Sequence, residues 1–287
     1  MMKQKILLVG ANGYIGSHLY KKLKYKFNIY PIDNLFRKTK KQKFVIKKDY
    51  RNLNEKFLKK FSTCVWLSGH SSVQQSVPDP FGAIDNNLNG LIKFKKIFKG
   101  RLIYASSGSV YSQISGLCDE NTPIGDPTNI YDFTKVTIDK YFQLTRSNCV
   151  SLRFGTVLGP SENIRTELLL NNMTLDAITK KKVFLANPNV FRPILYIEDL
   201  VDAIEAILKR KNNRHMIYNL CSVNLRMIDY AKTVSKQFRC KIQKLKNTNT
   251  YNFKMSNKRF CKEYNFEFTK NISKITTELE KFYLKTL

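Results

Sequence analysis

The chain has 287 residues, 43% of them hydrophobic, enough for one sizeable core or two unequal lobes, which excludes a disordered chain and a minimal disulfide scaffold. Fifty Lys and Arg against twenty-two Asp and Glu give a net charge of +28, which admits nucleic acid, an anionic membrane surface or an anionic ligand as partner without choosing among them. Six scattered cysteines (64, 118, 149, 221, 240 and 261), with no CxxC pair and only three histidines, make neither a zinc cluster nor a disulfide framework. No metal site is therefore expected, and the thiols read as reduced and mostly buried.

The opening Met1-Met2-Lys3-Gln4-Lys5 leads into a short apolar run rather than a signal-peptide core, and no run long and apolar enough for a membrane span follows, so a cytoplasmic protein is expected. KILLVG at 5–10 reads as a fully buried strand, 14–26 as a helix carrying Ile15, Leu19 and Leu23 toward a sheet, and 27–32 as a second strand. Short strands recur at 44–46, 64–67, 102–106 and 150–154, separated by helix-length segments at 52–61, 82–99 and 131–147. This βα alternation predicts an open parallel sheet covered on both faces. After Pro160 the pattern loosens into a helix near 165–181, strands at 182–185 and 193–196, a helix at 198–211, a strand at 216–220 and helices at 225–239 and 271–283. From Lys241 the chain is rich in Lys and Asn without a repeat, and reads as a substrate-side cap or as a basic solvated tail.

The first strand runs directly into Gly10-Ala-Asn12-Gly13-Tyr14-Ile15-Gly16 and then a helix, the context in which glycines let backbone approach a pyrophosphate at a helix N-terminus. The spacing is GxxGxxG, so a close-packed strand–helix turn is the alternative. The second strand ends in Asp33-Asn34, seventeen residues beyond Gly16, where a carboxylate accepts hydrogen bonds from both adenosine ribose hydroxyls and repels a 2′-phosphate. NAD is thereby favoured over NADP, with Arg37 and Lys38 partly offsetting the repulsion. Asp49, at the end of the third strand, reads either as an adenine contact or as an exposed turn acid.

At a later strand end stands Ala105-Ser-Ser107-Gly-Ser109, and twenty-four residues beyond Ser107 comes Tyr131-Asp-Phe-Thr-Lys135, whose ends share a helical face. A phenol is a weak base at neutral pH, but a lysine ammonium and a cationic nicotinamide stabilise the phenolate, which then takes a proton from a substrate hydroxyl as hydride leaves carbon. Ser107 would orient that hydroxyl.

With these motifs in this order the chain resembles the extended short-chain dehydrogenase/reductase family, in its nucleotide-sugar epimerase/dehydratase branch. The resemblance rests on GANGYIG at 10–16, WLSGHSSVQQSVPDP at 66–80, Asn87-Leu-Asn-Gly90, YASSGSVY at 104–111, YDFTK at 131–135 and LRFGTVLGP at 152–160, and covers nearly the whole chain. It implies a Rossmann-type doubly wound parallel sheet holding NAD and a smaller interleaved C-terminal lobe holding a nucleotide-diphosphate sugar. Residues 1–160 would form the NAD core, with segments near 190–220 returning to it, and 161–189 and 221–287 mainly the substrate lobe. The implied catalytic residues are Ser107, Tyr131 and Lys135. The implied cofactor contacts are Gly10, Asn12, Gly13, Tyr14, Ile15, Gly16, Asp33, Asn34, Asp49, Leu67, Ser68, Gly69, Asn87, Tyr131 and Lys135.

On the substrate side the resemblance implies His70, Ser107, Ser109, Asn171 near the diphosphate, and Arg192, whose guanidinium suits a bidentate phosphate contact. Tyr251 stands where many members carry a second phosphate-binding arginine, which leaves Lys254 as a substitute cation. Gly108 and Ser109 occupy the positions where 4,6-dehydratases carry Asp-Glu, which argues against dehydration. The expected activity is NAD-dependent 4-epimerisation of a nucleotide-diphosphate sugar through a 4-keto intermediate, in a pathway such as polysaccharide biosynthesis. A 4-dehydrogenase or 4-ketoreductase built on the same residues is the alternative within the class. A non-catalytic nucleotide- or RNA-binding module is the alternative outside it, drawn from basic clusters at 38–48 and 205–246, but no RNA-reading motif or basic–aromatic interleaving accompanies them, so no specific nucleic acid or membrane partner is expected. A homodimer through helices near 82–99 and 131–147 is the family expectation; Phe94, Ile97 and Phe98 would face the partner or complete the monomer's own core.

Overall fold

In the computed structural model, which describes residues 4–37, 39–248, 250–269 and 271–286, the chain begins with β1 (Lys5–Val9), α1 (Tyr14–Leu23), β2 (Asn28–Asp33) and β3 (Ile46–Lys47). Met1–Lys3 and Lys38, read above in the leader and in a basic cluster, lie outside the described residues. There follow α2 (Glu55–Leu58), β4 (Thr63–Trp66), α3 (Val73–Ser76), α4 (Pro80–Ile84), α5 (Gly90–Ile97), β5 (Arg101–Ser107), β6 (Leu117–Cys118), α6 (Ile130–Leu144), β7 (Cys149–Phe154) and β8 (Thr156–Leu158). The remainder comprises α7 (Leu169–Thr179), β9 (Lys182–Leu185), β10 (Phe191–Tyr196), α8 (Ile197–Leu208), β11 (Ile217–Leu220), β12 (Val223–Arg226), α9 (Met227–Phe238), β13 (Lys241–Lys244), β14 (Lys254–Met255), α10 (Lys258–Tyr264) and α11 (Ile272–Thr286).

Seven strands form one sheet in the order β11-β7-β5-β4-β1-β2-β3, every pair parallel. Its strands are apolar at consecutive positions because both faces are covered. On β1, Ile6 and Leu8 enter a core with Leu19 and Leu23 of α1 and Leu200, Ile204 and Ile207 of α8. Leu7 and Val9 enter another with Leu91 and Phe94 of α5, Phe98, and Ile138 and Phe142 of α6. Strand order reverses between β1 and β4, so their C-terminal ends open the crevice where a doubly wound sheet binds its ligand.

The lobe beyond is interleaved with this sheet. Of the segments expected to return to it, β11 pairs with β7 in the main sheet and α8 packs on α1, whereas β10 lies in a separate sheet between β8 and β12. Residues 241–286 are not a solvated tail: β13 pairs with β9, β14 with β6, and α11 packs on α7 and α9. The predicted helix at 52–61 is instead a 3-10 turn (Tyr50–Asn52) followed by the single turn of α2. The predicted helix at 82–99 is interrupted by a π turn at Asp85–Asn89, which turns Asn87 inward to donate to the His70 carbonyl and Thr134 Oγ1. Phe94 and Phe98 are 2% and 1% exposed and belong to the monomer's core. Among the described residues no helix is long and apolar enough to cross a membrane.

Candidate active site

The glycine turn is fixed by close approach. Gly10 sits at φ 87°, and its N–H and that of Ala11 both donate to the Ile32 carbonyl (3.0 and 3.1 Å). A Cβ on Gly16 would lie 2.1 Å from the Gly10 oxygen, so only glycine lets α1 start this close to β1. Gly13 is the N-cap of α1 and supplies no side-chain acceptor, which leaves first-turn N–H groups directed at the crevice. Ile15, in that first turn, is partly buried.

Asp33 at the end of β2 accepts from the N–H groups of Asn12 (3.0 Å) and Leu35 (2.8 Å), which places its carboxylate beside the glycine turn. Asn34 accepts from Phe36 N–H and donates to Asp49 (3.3 Å). Burial works to raise the Asp49 carboxyl, but hydrogen bonds from the Arg51 side chain and backbone and from Asn34 outweigh it and hold the group below its ordinary range. Asp49 is thus a turn cap paired with Arg51 (3.1 Å) as well as a crevice neighbour. The Asn12 side chain binds Thr39 Oγ1 and Gln42 N–H, tying down the loop after β2.

Leu67 and Ser68 follow β4, with Leu67 N–H on the Val9 carbonyl and the Ser68 carbonyl taking the Trp66 indole N–H. Gly69, at φ 129°, adjoins Asn87, whose Oδ1 is buried without a partner. His70 is 7% exposed and its Nε2 lies 3.0 Å from Asp79, the N-cap of α4. That pairing directs the imidazole to the 70–80 loop.

At the sheet's C-terminal edge Ser107, Tyr131 and Lys135 converge. Ser107 caps the turn after β5, with its Oγ 2.8 Å from Ser109 Oγ and accepting Ser109 N–H. Burial raises the Tyr131 phenol's pKa, and a side-chain hydrogen bond with Ser107 opposes it. One helical turn on, Lys135 donates to the Ala105 carbonyl (2.9 Å), with its ammonium 5.6 Å from the Tyr131 ring centre. Burial lowers the Lys135 pKa to about 8, against a smaller opposing effect of Asp139. A cavity of about 250 Å³ opens beside Tyr131, walled by Val73, Val77 and Pro80.

Behind Lys135 lies a polar core that the sequence reading missed. Asp139 and Arg153 are 1% and 2% exposed and pair at 2.9 Å; Tyr104, Ser106 and Ser151 also donate to Asp139, and Arg153 donates to Tyr111. An arginine inside the fully buried strand CVSLRF, seven residues before Pro160, was the available signal for it.

The loop between β8 and α7 crosses the crevice. Asn163 donates to the Asn12 and Lys40 carbonyls, and Ser161 bonds Ser17 and the Tyr14 carbonyl. Arg165 Nη1 and Arg37 Nη2 both reach Ser71 Oγ (2.8 and 2.5 Å). Arg165 is 9% exposed, acts electrostatically on both Tyr14 and Tyr131, and its Nη2 is a buried donor with no partner. Sequence reading gave Arg165 no role, because only the crossing of this loop brings it to the crevice. The Tyr14 phenol donates to the Gly159 carbonyl (2.7 Å).

Asn171, expected near the diphosphate, is held by internal hydrogen bonds. It is fully buried, its Oδ1 accepts Gly159 N–H, and its amide donates to Tyr14 and to the Arg165 carbonyl. With both ends engaged it is a strut for the crossing loop. Arg192 on β10 donates to Thr250, its guanidinium stands 5.5 Å from the Tyr251 ring centre, and among the described residues no carboxylate pairs with it. Burial lowers its pKa, with Tyr251 opposing. Lys254 lies over the Phe191 ring (5.0 Å), next to Arg192 in sequence. Tyr251 donates to Asp132 (2.8 Å). Among the described residues no group of His, Cys, Asp or Glu is able to hold a metal ion.

The glycine turn, the Asp33 carboxylate and the orphaned Arg165 donor fit a dinucleotide laid from β2 toward Tyr131, its ribose at Asp33 and its pyrophosphate at the start of α1. Residues 6–221 match the model of the NAD dependent epimerase/dehydratase family. The chain is 28% identical over 234 residues to Protein CapI of Staphylococcus aureus, covering 72% of this chain and 70% of that one. It is 27% identical over 271 residues to a UDP-glucose 4-epimerase of Lactobacillus helveticus, covering 80% and 82%. Its fold is similar, with a TM-score of 0.88 at 19% identity over 99% of this chain and 98% of the other, to TunA, an NAD dependent NDP-hexosamine 5,6-dehydratase involved in tunicamycin biosynthesis.

Proposed function

Because the chain belongs to the NAD dependent epimerase/dehydratase family, we propose that it is an NAD-dependent 4-epimerase of a nucleotide-diphosphate sugar. The observation that carries this reading is Tyr131 held between Ser107 and Lys135, with no carboxylate at 108 or 109. Asp132, the carboxylate bonded to Ser109, is 1% exposed and already occupied, so it supplies no free acid to eliminate water from the sugar. The similar Lactobacillus helveticus protein is a UDP-glucose 4-epimerase, which supports the same chemistry.

NAD, when bound, supplies a reversible acceptor for the C4 hydride. Gly13 and the first turn of α1 would receive its pyrophosphate, with Arg165 Nη2 as a further donor, and Asp33 its adenosine ribose. Tyr131 takes the proton of the sugar 4-hydroxyl and returns it to that same oxygen after the 4-keto sugar has turned its opposite face for reduction; Lys135 stabilises the phenolate by its charge, and Ser107 orients the hydroxyl. Arg192, free of any carboxylate partner among the described residues, binds a phosphate of the sugar nucleotide.

UDP-glucose, UDP-N-acetylglucosamine and UDP-glucuronate, incubated with catalytic protein and no added cofactor, test this by NMR of the products. Equilibration of one substrate with its C4 epimer is expected. Stoichiometric appearance of NADH on addition of NAD would instead identify a dehydrogenase and overturn the epimerase reading.

The protein also acts as a homodimer in this reading. Phe133, Tyr141 and Leu144 share an exposed face of α6, at 40%, 38% and 85% exposure, and Phe81 on the neighbouring α4 is 85% exposed. Leu144→Glu is expected to convert a dimer to a monomer in sedimentation equilibrium; a mass unchanged from wild type would refute this face.

A further inference from the structure

The cavity beside Tyr131 is lined by carbon. Val73 and Val77, one helical turn apart at α3, stand in it with Pro80 at the start of α4 and Ile130 at the start of α6. Among the described residues no Lys, Arg, His, Asp or Glu lines it. Its two polar side chains besides the phenol are already committed. Ser76 is 1% exposed and donates to the Ser72 carbonyl (3.1 Å). Asn129 accepts the Asp132 N–H and donates to Asp132 and Tyr251 (2.7 and 2.8 Å). Val77, 69% exposed, is the solvent rim, whereas the buried Ser76 and Tyr131 close the inner end.

Tyr131 ties this lining to the substrate. The phenol acts on the oxygen at C4, so a cavity lined by Tyr131 is filled by what the ring neighbours of C4 carry. In a hexose C3 bears oxygen or nitrogen, whereas C5 bears a carbon, C6. A volume of about 250 Å³ has room for the C5–C6 edge of the ring. A hydroxyl or carboxylate on C6 gives up water on reaching the inner end and meets no free side-chain donor there, an uncompensated burial. A methyl group loses nothing and gains contact with Val73 and Ile130.

We propose that this cavity is a specificity subsite for an apolar C6, so that the preferred substrate is a nucleotide-diphosphate 6-deoxyhexose and Val73 is a residue that reads its methyl group. The inference rests on the nucleotide-sugar reading and on Tyr131 acting at C4. The competing occupant is a carboxylate on C6, which the N-terminus of α6 beside Ile130 would attract. Against it stand the absence of any cation in the lining among the described residues and the Asn129 side chain, which already takes the Asp132 N–H of that first turn.

Calorimetry of the full chain loaded with NAD tests this by binding rather than turnover. UDP, dTDP, GDP and ADP are compared first as free nucleotides, and glucose, 6-deoxyglucose and glucuronate are then compared on the diphosphate that binds most tightly. The 6-deoxyglucose nucleotide is expected to bind about 10- to 100-fold more tightly than the glucose nucleotide, the range by which an apolar pocket rejects an added hydroxyl, with the glucuronate nucleotide weakest. V73T, which sets a hydroxyl into the lining at similar volume, is expected to cut that ratio about tenfold. Its affinity for the free nucleotide should stay as in wild type, which also reports that the variant folds. Equal affinity for the three sugars, tightest binding of the glucuronate nucleotide, or an unchanged ratio in V73T overturns the proposal. A chain that binds none of the four nucleotides fails the nucleotide-sugar reading itself, and the subsite falls with it.

Discussion

Tyr131→Phe is expected to lower kcat by about 10²- to 10⁴-fold, the range for removal of a positioned acid–base group, while nucleotide affinity measured by calorimetry stays close to wild type. The separation follows from geometry. The phenol oxygen meets Ser107 and the Lys135 field, whereas the pyrophosphate cradle is backbone of Gly13 and the first turn of α1. The pH dependence of the wild type has a sign fixed by Lys135. Burial lowers its pKa to about 8, so the ammonium that stabilises the phenolate is present below that pH and lost above it. An alkaline fall in kcat near pH 8 is the expected profile, and activity retained by Y131F would remove Tyr131 from the mechanism.

The largest stability effect is expected from the buried pair behind the site. Asp139→Asn leaves Arg153, 2% exposed, without its counter-charge and is expected to cost about 3–5 kcal/mol, read from denaturant unfolding. The loss should exceed that of an isolated ion pair broken at the surface, because Tyr104, Ser106 and Ser151 also direct their hydroxyls at Asp139. Asp139 also supports the charge of Lys135, one turn away on α6, so the same variant should move the alkaline limb of the rate profile to lower pH. A variant as stable as wild type would show that the pair contributes nothing net to the fold.

Local pattern made much of the sheet legible. β1, β4, β5 and β7 are short runs apolar at consecutive positions, and the helices between them have lengths that sequence spacing displays. β6, β8, β12, β13 and β14 are two to four residues long and exist only through pairing with segments distant in sequence, so no local period announces them. The π turn at Asp85–Asn89 is likewise set by what Asn87 reaches across the fold.

The same division holds for the site. The glycine turn, the acid ending β2 and the Tyr131/Lys135 pair are defined by chemistry within a few residues of chain, since a tight turn demands glycine and a helical repeat of four aligns two side chains. Tertiary structure alone decided what the remaining candidates do. It engaged both ends of Asn171 inside the protein, turned His70 to Asp79, carried the unassigned Arg165 to the crevice and joined Tyr251 to Asp132. A polar side chain's partners depend on which backbone passes within about 3 Å of it, and that distance is set by packing between elements far apart in sequence.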